Sequence, residues 1–149
     1  MTGKQLKRVS YMLTYPAHIV KDDDTFLVTF PDLENVATFG ATFEEALQNA
    51  EDALNGCLAS DFERNFSIPE PSSITDEDIY SITVAPHVAV AIMLRKLRAD
   101  ATQAEIARKL NISYQVYQRL ENPRKANPTL KTLEKIARVF GKHVELGFV

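Results

Sequence analysis

One cysteine and three histidines are all that a chain of 149 residues offers to thiol and metal chemistry. Cys57 alone cannot close an internal disulfide, and so few histidines leave the inventory for an all-protein zinc site thin. Redox and zinc functions are therefore not expected, and no cofactor is implied. Long apolar runs are missing as well: none approaches the roughly 18 to 20 residues that a membrane span needs. The opening stretch, Met1 to Val20, has basic residues but no uninterrupted apolar segment and no small-residue cleavage site, so it does not read as a secretory signal. A cytoplasmic location is the expectation. Five Gly and seven Pro exclude a collagen-like or low-complexity chain.

What is present is 45% hydrophobic and 25% charged, ordinary for a chain with one compact core or two small ones. The net charge of −3 conceals two opposite signs. Residues 1–84 hold five Lys/Arg against fifteen Asp/Glu, a net −10. Residues 85–149 hold twelve against five, a net +7. Two modules with different partners follow, a basic one suited to a polyanion and an acidic one suited to a basic partner, against the alternative of two solvated faces. Between them, Ser67 to Asp78 carries two prolines, three serines and four acids without helical or strand period, and reads as an extended loop and hinge.

In the acidic module Tyr11, Leu13, Tyr15, Ala17 and Ile19 alternate with Met12, Thr14, Pro16 and His18, the period of a half-buried strand. Pro16 points to an edge or bulged strand. Phe26, Val28 and Phe30 mark a second strand after the Asp22–Asp24 turn, and Val36 to Phe39 a third. Thr42-Phe-Glu-Glu45 is a capping box opening an amphipathic helix through Phe43, Ala46, Leu47, Ala50, Leu54, Cys57 and Leu58 to about Phe62. Tyr80, Ile82 and Val84 give a last strand, so the order is βββαβ.

Pro86 suits the first position of the next helix. Thr102-Gln-Ala-Glu105 is a second capping box, followed by Ile106, Ala107 and Leu110 on an inner face. Asn111 stands where a tight turn between helices needs a left-handed residue. Ser113 is placed to cap the next helix, with Val116 and Leu120 expected inside and Tyr114, Gln115, Tyr117, Gln118 and Arg119 outside. Asn122 to Pro128 is a basic turn. Leu130, Leu133, Ile136, Ala137 and Phe140 make a last helix stopped by Gly141, and Val144, Leu146 and Phe148 alternate as a terminal strand.

From Thr102 to Lys142 the chain resembles the Cro/repressor (XRE-type) helix-turn-helix family. Thr102-Gln103, Ile106-Ala107, Ile112 before Ser113, Val116, Arg119-Leu120-Glu121-Asn122, Pro128, Leu133 and Ile136-Ala137 carry the match. Asn111 and Pro123 replace the glycines usual at those turns. The resemblance implies operator DNA as a partner. Gln115 is suited to an adenine edge and Arg119 to guanine or phosphate, flanked by Ser113, Tyr114, Tyr117 and Gln118. Thr102, Gln103, Arg124 and Lys125 are suited to phosphates, which position the domain without reading sequence.

The acidic module resembles the truncated RNase H-like half of HicB-type antitoxins, through Thr29-Phe-Pro-Asp-Leu33, Gly40-Ala-Thr-Phe-Glu-Glu-Ala-Leu47, Ala50 with Ala53-Leu54, and Ile68-Pro-Glu-Pro-Ser72. The implied fold class is α+β: a partial RNase H-like toxin-binding domain over 1–84, joined to an all-α helix-turn-helix domain with a short terminal strand over 85–149. The implied function is an antitoxin that neutralises a small basic RNA-cleaving HicA-type toxin and represses its own operon. Two other functions are weighed. A nuclease would need carboxylates converging on two divalent ions, but the first strand, Met12 to Val20, contains no acid, and Asp78 lies at the wrong end of the fourth. A stand-alone regulator would sense a ligand with its acidic domain. No catalytic residues, no metal site and no small-molecule substrate are expected. A dimer or higher oligomer is, with Val144, Leu146 and Phe148 as the pairing strand.

Overall fold

The computed structural model describes residues 13–148. In chain order the elements are β1 (Thr14–Asp22), β2 (Thr25–Thr29), β3 (Ala37–Gly40), α1 (Phe43–Glu63), β4 (Ile79–Thr83), α2 (Pro86–Arg98), α3 (Gln103–Leu110), α4 (Tyr114–Leu120) and α5 (Leu130–Val139). The class is α+β, strands first and a helical region after. Two compact units form: one takes the residues up to Leu54 with Pro69–Val84, the other Asn55–Ile68 with the residues from Ala85 onward. The division falls within α1. Among the described residues no helix is long and apolar enough to cross a membrane.

In the first unit the sheet is antiparallel with order β3-β2-β1-β4. Strand alternation sends Tyr15, Ala17, Ile19, Val28 and Ile82 to one face, where all are buried with Ala46, Ala50 and Leu54 of α1. Phe43 of α1 meets Phe26 and Tyr80 edge to face, at 5.9 and 5.0 Å between ring centroids. Gly40 makes this packing possible, because a Cβ there would stand 2.3 Å from the Ala46 nitrogen. The helix cap differs slightly from a standard capping box. Thr42 Oγ1 accepts from Glu45 N–H at 3.1 Å, but the Glu45 carboxylate accepts from Ala41 N–H at 3.2 Å, one residue further back than the box predicts.

Strand β1 is central rather than an edge, which corrects the reading of Pro16. It pairs with β4 through Thr14–His18 and with β2 only from His18 onward. Ile19 N–H bonds the Asp78 carbonyl at 3.0 Å, so residues 15, 17 and 19 aim their amides at β4. The missing amide of Pro16 then faces the β2 side, where the β1–β2 register has ended. The Ser67–Asp78 segment has no regular element until the turn before β4, and it is fastened down: Tyr15 Oη donates to the Pro69 carbonyl at 2.5 Å, and Ser72 N–H to Asp32 Oδ2 at 2.9 Å.

In the second unit Pro86 occupies the start of α2, as its fixed φ favours. Arg95 lies over the Phe62 ring at 3.8 Å and donates to the carbonyls of Phe62 and Phe66 at 3.1 and 3.3 Å. Leu94, Ile106, Ala107, Leu110, Tyr117, Leu120 and Ile136 form the core, with Val90, Ala101, Ile112, Val139 and Phe140 against it. Helix α5 ends in a Schellman arrangement: Lys142 N–H bonds the Ala137 carbonyl at 2.7 Å and Gly141 N–H that of Arg138 at 3.1 Å, with Gly141 at φ +65°.

The expected terminal strand is not formed. Residues 142–148 hold no regular element, and Val144, Leu146 and Phe148 are exposed. Alternation gives a segment the capacity to pair, but an isolated strand has no ladder to join.

Candidate nucleic-acid interface

Two short helices meet at the tight angle that Asn111 sets. Thr102 caps α3 with a complete capping box: its Oγ1 accepts from Glu105 N–H at 3.1 Å, and Glu105 Oε2 accepts from Thr102 N–H at 2.8 Å. The helix ends at Asn111 in the left-handed region (φ 56°, ψ 44°). Ile112 N–H reaches the Ala107 carbonyl at 3.0 Å and Asn111 N–H that of Arg108 at 3.1 Å, a second Schellman arrangement with Ile112 packed on the core. Ser113 then caps α4, accepting from Val116 N–H at 3.2 Å.

A buried carboxylate locks these helices to α2. Glu121, 5% exposed, accepts from Arg98 Nε at 2.6 Å and Nη2 at 2.9 Å, from Gln103 Nε2 at 2.8 Å and from Tyr117 Oη at 2.6 Å. All its strong acceptor directions are thereby used. Burial pushes the Glu121 carboxyl up, but the hydrogen bonds from Arg98, Tyr117 and Gln103, with the Arg98 charge, outweigh it and hold the group below the usual range. Burial and the neighbouring carboxylate raise the Tyr117 phenol well above its ordinary value. Arg98 also donates from Nη1 to the Ala101 carbonyl at 2.8 Å. That bond spans a turn closed by Ala101 N–H on the Arg98 carbonyl at 3.0 Å, with Ala99 at φ 49°, ψ −120°. This is the first central position of a type II′ turn, where glycine is the usual occupant.

The network corrects the assignment of faces on α4. Tyr117 is a core residue with no exposed surface, so it is not available to DNA, while Val116 is 45% exposed. Capping at Ser113 puts positions 117, 120 and 121 inward together, and the phenol is needed by Glu121. Tyr114, Gln115, Gln118 and Arg119 are exposed on the opposite side. Gln103 is half-buried and engaged with Glu121, so its amide is committed to the interior. Thr102 and Ser113 are exposed caps. A shallow groove lined by Arg98, Thr102, Gln103, Ala104 and Tyr114 brings the starts of α3 and α4 to one surface.

In the basic turn Asn122 Oδ1 accepts from Arg124 N–H at 3.0 Å, and Pro123 and Ala126 are buried. Lys125 is exposed. Arg124 is exposed too, but its Nε lies 2.6 Å from Glu63 Oε1 at the end of α1, so a phosphate would have to displace that carboxylate. Sequence reasoning missed both acids. Glu121 stood inside the Arg119–Asn122 match, and only its partners' positions in space reveal its role.

The arrangement defines a helix-turn-helix protein of the DNA-binding class, and residues 93–146 match the family described as helix-turn-helix. Residues 14–92 match the HicB-like antitoxin family of bacterial toxin–antitoxin systems, to which the chain belongs. It is 30% identical over 138 residues to Antitoxin HicB 2 of Photorhabdus laumondii subsp. laumondii, covering 93% of this chain and 98% of that protein. It is 32% identical over 126 residues to Antitoxin HicB of Escherichia coli strain K12, covering 83% of this chain and 90% of that one. A chain in a toxin–antitoxin complex from Streptococcus pneumoniae is similar at a TM-score of 0.45 and 23% identity, covering 72% of this chain and 94% of that one.

Among the described residues no group of three or more His, Cys, Asp or Glu is placed to hold a metal ion. Strand β1 runs two residues further than expected and ends in Asp22, but Asp22, Asp23 and Asp24 are all exposed. The Cys57 thiol is pushed up by burial, with Asp61 adding to the shift, the opposite of what a reactive thiol needs.

Proposed function

We propose that this antitoxin neutralises a small basic RNA-cleaving toxin of the HicA type and represses its own operon by binding operator DNA. It acts in the cytoplasm as a homodimer or higher oligomer, by binding alone and without catalysis. The observation that carries this reading is the union, in one chain, of the antitoxin match over residues 14–92 and a capped helix-turn-helix over 93–146. The charge split supports it, because the acidic half, 1–84, suits a basic toxin and the basic half, 85–149, suits DNA. On the DNA, α4 enters the major groove with Gln115 and Arg119 on base edges, while Tyr114 and Gln118 flank them. Thr102, Ser113, Arg124 and Lys125 contact the backbone. Two copies are required because one small module covers too few base pairs for specificity.

The test is co-expression with the small basic reading frame beside this gene, with a reporter under the operon's own promoter. Growth is restored and the reporter silenced if the reading holds. Silencing without any growth-arresting neighbour would instead favour a stand-alone regulator.

A further inference from the structure

Helix α1 covers one face of the sheet, and a solvated opposite face of an antiparallel sheet is expected to be polar. Seven outward positions follow that rule: Thr14, His18 and Asp22 on β1, Thr25 and Thr29 on β2, Ser81 and Thr83 on β4. Pro16, Ile79 and Ala37 do not, but Pro16 is buried, Ile79 is half-buried and Ala37 offers only a methyl group, so the large exposed apolar side chains of this face lie in one row. Val20 pairs with Leu27, and Leu27 with Phe39, so three apolar side chains lie side by side across β1, β2 and β3. Leu27 is 37% exposed and Phe39 is 64% exposed. An aromatic anchor with aliphatic neighbours on a rigid strand surface is what interface centres are made of, and it costs solubility where nothing docks.

The rim of this row names the chemistry of its occupant. Asp22 shares the face, one outward position beyond Val20, and Asp23 and Asp24 form the turn that closes the β1–β2 hairpin. All three carboxylates are exposed. An apolar centre beside a hairpin whose three carboxylates outnumber its one exposed cation, Lys21, fits a basic protein better than nucleic acid.

We propose that the Val20–Leu27–Phe39 row is the docking face for the basic toxin, with Phe39 as its anchor and the Asp22–Asp24 hairpin steering encounter. The proposal rests on the antitoxin reading above, and deepens it by assigning the contact surface. The apolar row sets how long the complex lasts. The hairpin sets how fast it forms, through a field that salt screens beyond about 10 Å at 0.1 M.

Full-length Leu27→Lys/Phe39→Lys protein and the single Phe39→Ala protein are compared with wild type for binding the purified neighbouring toxin by surface plasmon resonance. The double variant is expected to lose at least about thirtyfold in affinity, mostly through faster dissociation, and Phe39→Ala about tenfold. Both keep the wild-type melting temperature and operator binding. Asp22→Asn/Asp23→Asn/Asp24→Asn slows association several-fold at low salt and little at high salt. If wild type binds the toxin and the double variant binds it equally well, the docking face is wrong and the antitoxin reading stands. If wild type fails to bind the toxin, both fall. If the double variant keeps toxin affinity but loses self-association, the row is a contact between copies and the proposal is overturned.

Discussion

Removing the charge from Glu121 while keeping its shape leaves the Arg98 guanidinium without its buried counterion. Glu121→Gln is therefore expected to lower the unfolding free energy by about 3 kcal/mol, measured by urea denaturation at neutral pH. Its pH dependence has a definite sign. Because the folded-state pKa of Glu121 lies below the unfolded value, its contribution is fully present above the unfolded pKa and is lost as pH falls through the folded pKa. The wild-type protein should thus lose stability across that acid window, and Glu121→Gln should lose less there. At the proposed DNA surface, Gln115→Ala should cost about 1 to 3 kcal/mol at a cognate site and relax one base position in a binding-site selection. Lys125→Ala should weaken all sequences alike and flatten the salt dependence. An unchanged selection profile for Gln115→Ala would remove α4 from the recognition role.

Within single elements, most of what the sequence announced was local. Thr102 with Glu105, Ser113, Asn111, Pro86 and Gly141 act on neighbours within a few residues, so their caps and turns were legible before any tertiary contact was known. Faces were harder to read. On a seven-residue helix, Val116 and Tyr117 are adjacent, and the apolar residue is the natural choice for the interior. The phenol goes in instead because Glu121, Arg98 and Gln103 converge there from three helices. Pro16 misled for the same kind of reason, since its effect depends on where a neighbouring strand stops. Gly40 is the last residue of β3, and it also admits a helix, a role that only the approach of Ala46 reveals. Gly40→Ala should push α1 off the sheet and cost about 3 kcal/mol, read as a drop in thermal midpoint.

Across the whole molecule, the charge asymmetry and the order βββαβ then helices were readable from composition and periodicity alone. The terminal segment was not, because alternation in Val144, Leu146 and Phe148 states a capacity to pair and not whether a partner exists. If a second chain supplies that partner under a two-fold axis, deleting residues 143–149 should yield a monomer in sedimentation velocity. An unchanged dimer would place the contact elsewhere.

The division of labour between acidic and basic halves is tested most directly on one full-length variant, Arg124→Glu/Lys125→Glu. Titrated calorimetrically with the purified neighbouring toxin and assayed in parallel on operator DNA, it should match the wild-type toxin affinity while failing to retain the operator. Toxin binding lost together with operator binding would contradict separate surfaces for the two partners.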